Sequence, residues 1–121
     1  MPAPSVNGLR AIDKLKRAMR KGLLKKTITL ADGETLEIHY QPLTLAEEER
    51  IRKDVGDNAT ANAYAMRLLI ERALNPDGTR MFTLMDLPDL KNAVEKQDAE
   101  AAMLVILGNE GEPTDMKSAA A

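Results

Sequence analysis

Apolar residues along this chain recur every three to four positions, except in one stretch where they recur every second position. Leu9, Ile12, Leu15, Met19 and Leu23 fall on one side of a helix, which predicts an amphipathic helix ended by Gly22. From Lys25 to about Gln41 the period drops to two. Ile28 and Leu30 precede Asp32-Gly33, and Leu36, Ile38 and Tyr40 follow it. Alternation on both sides of Asp-Gly predicts a β-hairpin, with Asp32 and Gly33 in the turn. Gln41-Pro42 stops its second strand. The apolar row of the hairpin needs a cover of helices, because an isolated hairpin is only marginally stable.

Thr44-Leu45-Ala46-Glu47 has the form of a capping box, in which the Thr44 hydroxyl accepts from the third helical amide and Glu47 reaches back. The helix it opens runs to about Val55, with Leu45, Ile51 and Val55 inward and Glu47, Glu48 and Glu49 at the positive end of its dipole. Gly56-Asp57-Asn58 breaks the chain. ATANAYAMRLLIERALN is apolar around most of its circumference, which predicts a central helix with Arg67, Glu71 and Arg72 on its wet side. Asn75-Pro76 ends it. Leu87, Leu90 and Val94 mark a short helix, and Lys96-Gln97-Asp98 separates it from a last one. In that last helix Ala99, Ala102, Met103, Ile106 and Leu107 share a face, with Leu104 and Val105 off it. The expected fold is therefore α+β and mostly α: a basic N-terminal helix, one hairpin, then about four helices. Residues 9–107 form its single domain, between a flexible leader at 1–8 and a disordered tail at 108–121.

The junction LNPDGTRMFTLMDLPDL carries enough acids to suggest a calcium loop starting at Asn75. Such a loop needs glycine at its sixth position and a bidentate glutamate at its twelfth, where this chain has Arg80 and the shorter Asp86. Asn75-Pro76-Asp77-Gly78 reads instead as a turn, with Gly78 taking the positive backbone angle. Phe82, the only phenylalanine, is expected to be buried. The following helix has two registers. Thr83 can cap it with Asp86 as reciprocal partner, or Asp86 can be the cap with Pro88 in the first turn, which is the better of the two.

Composition narrows the chemistry. The 121 residues suit one domain with a modest core. A net charge of -2 favours neither a nucleic-acid binder nor an acidic solvating protein as a whole, although the first helix is locally basic. There is no cysteine, hence no disulfide, thiolate metal site or cysteine nucleophile. Seven methionines among only three aromatic residues suggest adaptable apolar surface. His39, the single histidine, is offset from the apolar row of its strand and is expected at the surface. No histidine cluster, serine–histidine pair, phosphate-binding glycine loop or 18-residue apolar run occurs, so an enzyme, a metal protein or a membrane-spanning protein is not expected.

A hairpin with a central glycine, the Leu43-Thr44 helix start with Glu47, a long Ala- and Leu-rich helix, an Asp-Gly turn, then Phe82-Thr83 and an acid opening the next helix form a familiar order. Over roughly Lys25 to Leu107 it resembles the tail assembly chaperones of long-tailed bacteriophages. The basic N-terminal helix lies outside the resemblance. The resemblance implies a non-enzymatic, cofactor-free protein in the cytoplasm of the infected bacterium, absent from the finished virion. It would bind the tape measure protein, keep it soluble and help tail-tube subunits assemble around it. Independently, a helical module with a Met- and Leu-rich face can hold amphipathic helices in a groove. Met66, Leu69, Ile70, Leu104 and Val105, with Met85 and Met103 nearby, are the apolar candidates. Lys14, Arg17 and Lys21 could steer an acidic partner. Self-association through apolar helix faces is also expected. The rival readings are a small nucleic-acid-associated regulator using the basic helix, and a structural subunit of a phage assembly.

Overall fold

The Asp-Gly hairpin forms as expected and becomes the centre of the molecule. Strand β1 (Leu24–Thr29) pairs antiparallel with β2 (Thr35–Tyr40) in a register that sets Leu24 opposite Tyr40 and Ile28 opposite Leu36. The loop closes with Leu30 N–H donating to Glu34 O at 2.7 Å and Gly33 N–H to Leu30 O at 2.9 Å. The Asp32 carboxylate caps it by accepting from Glu34 N–H at 2.9 Å. The computed structural model describes residues 10–114; the expected leader at 1–8, Leu9 and the tail from 115 lie outside the described residues. The described chain is mostly α with some β, as the patterning predicts.

Five helices accompany the sheet. Helix α1 (Ala11–Ala18) stops well before Gly22, and its C-cap, Met19, is already extended. Helix α2 (Leu45–Val55) begins with the predicted box: Thr44 Oγ1 accepts from Glu47 N–H at 3.2 Å, and Glu47 Oε1 accepts from Thr44 N–H at 3.1 Å. Helix α3 (Ala61–Arg72) is the core helix, burying Tyr64, Ala65, Leu68, Leu69 and Ile70. Helix α4 (Leu87–Asn92) is short, and α5 (Lys96–Leu107) packs on α3 and against the sheet. Leu24, Ile28, Ile38 and Tyr40 from the sheet meet Ile51, Leu68, Leu69, Met103, Val105 and Ile106 in one apolar cluster.

Several expectations are corrected. Leu45 points outward, 78% exposed, because the cap puts it at the first helical position, clear of the α3 contact. Val105 is fully buried, and Leu107 is exposed in its place. Helix α5 starts at Lys96, so Lys96-Gln97-Asp98 is its first turn and no separator. Arg67, Glu71 and Arg72 are not a free wet side. Glu71 accepts from Arg50 Nη2 at 3.0 Å and Arg67 Nε at 3.2 Å, and Glu47 accepts from Arg72 Nη1 at 3.0 Å, which ties α2 to α3.

His39 is the clearest reversal: it is buried, 4% exposed. Its strand is not an edge there, because His39 N–H donates to Leu74 O at 3.1 Å and Leu74 N–H to His39 O at 2.6 Å. The Asn75–Gly78 junction is thus a small hairpin docked on β2. Leu74 also bridges to Arg80, and Met81 N–H donates to Ala73 O at 3.0 Å. Gly78, at φ +89°, takes the left-handed position of its turn. Phe82 packs on the core but is only half-buried, against the expectation of full burial.

Both capping registers after it occur: Asp86 is the N-cap position of α4 with Pro88 in the first turn, as preferred, but its side chain makes no cap bond to α4. Thr83 and Asp86 form the reciprocal pair, with Thr83 N–H donating to Asp86 Oδ2 at 2.9 Å and Met85 N–H to Thr83 Oγ1 at 3.2 Å. They close a 3-10 turn over Leu84–Asp86, and α4 follows directly with Pro88 in its first turn. A single 3-10 turn uses the Thr83 box without asking proline for an amide hydrogen.

Residues 108–114, expected in a disordered tail, return to the sheet. Asn109 adopts φ +53° and lets Glu110 N–H reach Val105 O at 3.0 Å, so the helix ends in a left-handed cap. Strand β3 (Glu112–Pro113) then pairs antiparallel with β1, giving the order β2-β1-β3. Gly111 passes so close to the sheet that a Cβ there would lie 2.7 Å from the Tyr40 ring. The Tyr40 hydroxyl accepts from Gly111 N–H at 2.8 Å and donates to Asn109 Oδ1 at 3.0 Å, and Arg20 Nη1 donates to Gly111 O at 2.8 Å.

Candidate partner-binding groove

The last three helices leave an apolar recess. Met66 on α3, Leu90 on α4, Val94 in the link after it, and Ala99 and Met103 on α5 line a groove of about 310 Å³. Asn62, Lys91, Lys96 and Glu100 form its polar rim. Its geometry follows from local sequence. The Thr60 hydroxyl accepts from Ala63 N–H at 3.0 Å and fixes where α3 starts, while Pro88 in the first turn of α4 sets the approach of Leu90. Residues three and four apart stack on one helical face, so Lys96, Glu100, Met103 and Leu107 continue the α5 wall in one line. Leu104, 50% exposed, and Leu107 extend the apolar surface beyond the groove.

The structure sorts the predicted contact residues. Met66 and Met103 come together in the groove, and Leu104 lies beside it on α5. Leu69, Ile70 and Val105 are core residues with essentially no exposed surface, so they are corrected out of the contact set. Met85 is exposed but sits on the 3-10 turn and does not line the groove. Lys14 and Arg17 lie on α1 and Lys21 just after it; all three are exposed and separate from the groove. Reading the sequence missed Leu90, Val94 and Ala99 as lining residues. The spacing of Leu87, Leu90 and Val94 carried the signal, but it was spent on predicting a helix.

Other features of the surface are structural. The polar groups of the Asn75–Arg80 loop are used inside the turn. Asp77 Oδ1 accepts from Thr79 N–H at 3.0 Å and Thr79 Oγ1 at 2.6 Å, and Asn75 Nδ2 donates to Thr79 Oγ1 and Arg80 O. These bonds from Thr79 hold the Asp77 carboxyl below its usual range. No group of three or more His, Cys, Asp or Glu side chains placed to hold a metal occurs among the described residues. His39 has Glu37 at 3.8 Å, and its Nδ1 is buried without a hydrogen-bond partner. A cleft of about 580 Å³ between the end of α2 and the start of α3 is lined by Glu49, Arg52, Lys53 and Asp57 around Tyr64, a wall of mixed charge. The Arg52 guanidinium stands 4.1 Å over the Tyr64 ring. Burial and the Glu48 carboxylate raise the Tyr64 phenol above its ordinary value.

The back of α3 is stiffened by its ion pairs. Burial pushes the Glu71 carboxyl up, but its bonds to Arg50 and Arg67 outweigh that and lower it overall. Burial acts on Glu47 likewise and is outweighed by the Thr44 amide and Arg72. No helix among the described residues is long and apolar enough to cross a membrane. Compared with protein-family models, with curated proteins and with solved structures, the chain matches none of them.

Proposed function

We propose that this protein is a non-enzymatic tail assembly chaperone of a long-tailed bacteriophage. It holds amphipathic segments of the tape measure protein and keeps them soluble while tail-tube subunits assemble around them. The observation that carries this reading is the groove whose floor is the buried Leu90 and Met103, with the half-buried Met66 in its wall and Val94, 38% exposed, and Leu104, 50% exposed, at its edge. Apolar surface of this kind on a small chain marks a place where another protein sits. A recess walled by helices and floored by methionine suits helix-in-groove recognition, because the unbranched thioether adapts to different side chains. The sequence resemblance over Lys25 to Leu107 supplies the identity of the helix. On this reading the protein acts in the cytoplasm of the infected bacterium and is absent from the finished virion. Co-expression with the tape measure protein encoded beside it is the test. A soluble complex, and a tape measure that precipitates when expressed alone, are expected; a tape measure whose solubility is indifferent to the partner removes the reading.

A second reading rests on a different observation, the exposed basic side chains of α1. Lys14, Lys16 and Arg17 face solvent and could neutralise phosphates, making the chain a nucleic-acid-associated regulator. Binding to generic duplex DNA with a steep salt dependence would favour it, and no binding at low salt removes it.

A further inference from the structure

The wall of the Met66–Met103 groove carries its charge in a fixed order. Lys96, Glu100, Met103 and Leu107 share one line of α5, so that line runs positive, negative, apolar, apolar from the start of the helix. At the rise of an α-helix, Lys96 stands about 6 Å from Glu100 and about 10 Å from Met103 along the axis. Lys91, near the end of α4, adds a second cation to the rim.

These charges are not used up inside the molecule. Lys91, Lys96 and Glu100 are exposed, and none of them forms an ion pair among the described residues. Lys96 and Glu100 are four apart with the base first, the weaker order for pairing along a helix. Glu95 and Asp98, the acids nearest Lys96 in sequence, line a different recess at the hairpin tip, where Asp98 Oδ1 accepts from Ala31 N–H at 2.9 Å. The arginines that tie α2 to α3 behave differently: Arg50, Arg67 and Arg72 all have carboxylate partners.

We propose that the groove selects its helix by charge register. The docked helix lies along α5 and presents an acid to Lys91 and Lys96, a base to Glu100 about one turn on, and apolar residues to Met103 and Leu107 beyond. The apolar floor supplies affinity, and the rim charges reject a helix of the wrong register through like-charge contacts. The inference rests on the reading of this groove as a helix-binding site, and it specifies which helices enter.

Fluorescence anisotropy on the full chain tests it with labelled alanine-based helical peptides of about 20 residues. One pair of peptides carries Glu, Lys, Leu and Leu at i, i+4, i+7 and i+11, or the same residues with Glu and Lys exchanged. A second pair carries the reverse order, so that both chain directions are represented. In at least one pair the charge-matched peptide is expected to bind about tenfold tighter at roughly 0.1 M salt, and the difference to shrink at roughly 1 M, as the screening length falls from about 10 Å to about 3 Å. The triple variant Lys91→Glu, Lys96→Glu, Glu100→Lys, checked for folding by circular dichroism, should invert the preference. Inversion decides the matter, because the order of Glu and Lys also changes how helical a free peptide is, and that difference is the same for both proteins. Peptides that bind equally well, that do not bind, or whose ranking the variant leaves unchanged overturn the proposal. The chaperone reading fails separately. A tape measure protein that stays bound to the triple variant but not to Met66→Glu, Leu104→Glu removes the charge register and leaves the chaperone. An inverted peptide preference with no tape measure complex removes the chaperone and leaves the register.

Discussion

The Tyr40 hydroxyl donates to Asn109 and accepts from Gly111, and its ring has no exposed surface. Removing the hydroxyl strands a buried amide. Tyr40→Phe should therefore cost about 1–3 kcal/mol in urea unfolding and speed amide exchange in residues 111–114. Phe82 is half-buried, so Phe82→Ala should cost roughly half of the ~3–5 kcal/mol expected at a fully buried site. A melting temperature equal to wild type would show that the ring contributes nothing. Glu71 and Glu47 titrate below the carboxyl value of 4.5 taken for a free side chain. Their stabilisation is complete above that value and is lost as pH falls through the lowered folded values. Melting temperature should fall in acid below about pH 4.5, and Glu71→Gln should melt lower at neutral pH with a shallower acid decline.

Among the elements, those specified by neighbouring residues were legible in the sequence. The Thr44–Glu47 box, the Asp32-Gly33 hairpin and the all-round apolar α3 depend on contacts within a few positions, and each forms where the pattern places it. Thr44→Ala should accordingly cost about 1 kcal/mol in thermal or urea unfolding. What the pattern missed comes from pairing between distant segments. His39 is buried because Leu74 pairs with it, and β3 exists because Tyr40, Arg20 and Leu23 receive residues 111–114. Two residues of strand have no period to read, and polar composition made this stretch look like tail. Burial around α5 failed for a related reason. With the sheet on one side and α3 on another, Val105 has a partner that a single apolar stripe does not anticipate. Half of the groove was legible in the same way: Met66 and Met103 were, while Leu90 and Val94 needed the path of α4.

For the whole molecule, a small sheet and a salt-bridged α2–α3 pair hold α3, α4 and α5 so that an apolar groove stays open on one side. We propose that this groove holds a helix of the tape measure protein. Co-purification with a tagged tape measure protein, using wild type and a Met66→Glu, Leu104→Glu variant with the wild-type melting temperature, tests it most directly. A soluble complex with the wild type and its loss with the variant are expected. A complex that the variant forms equally well, or no complex with the wild type, would contradict it.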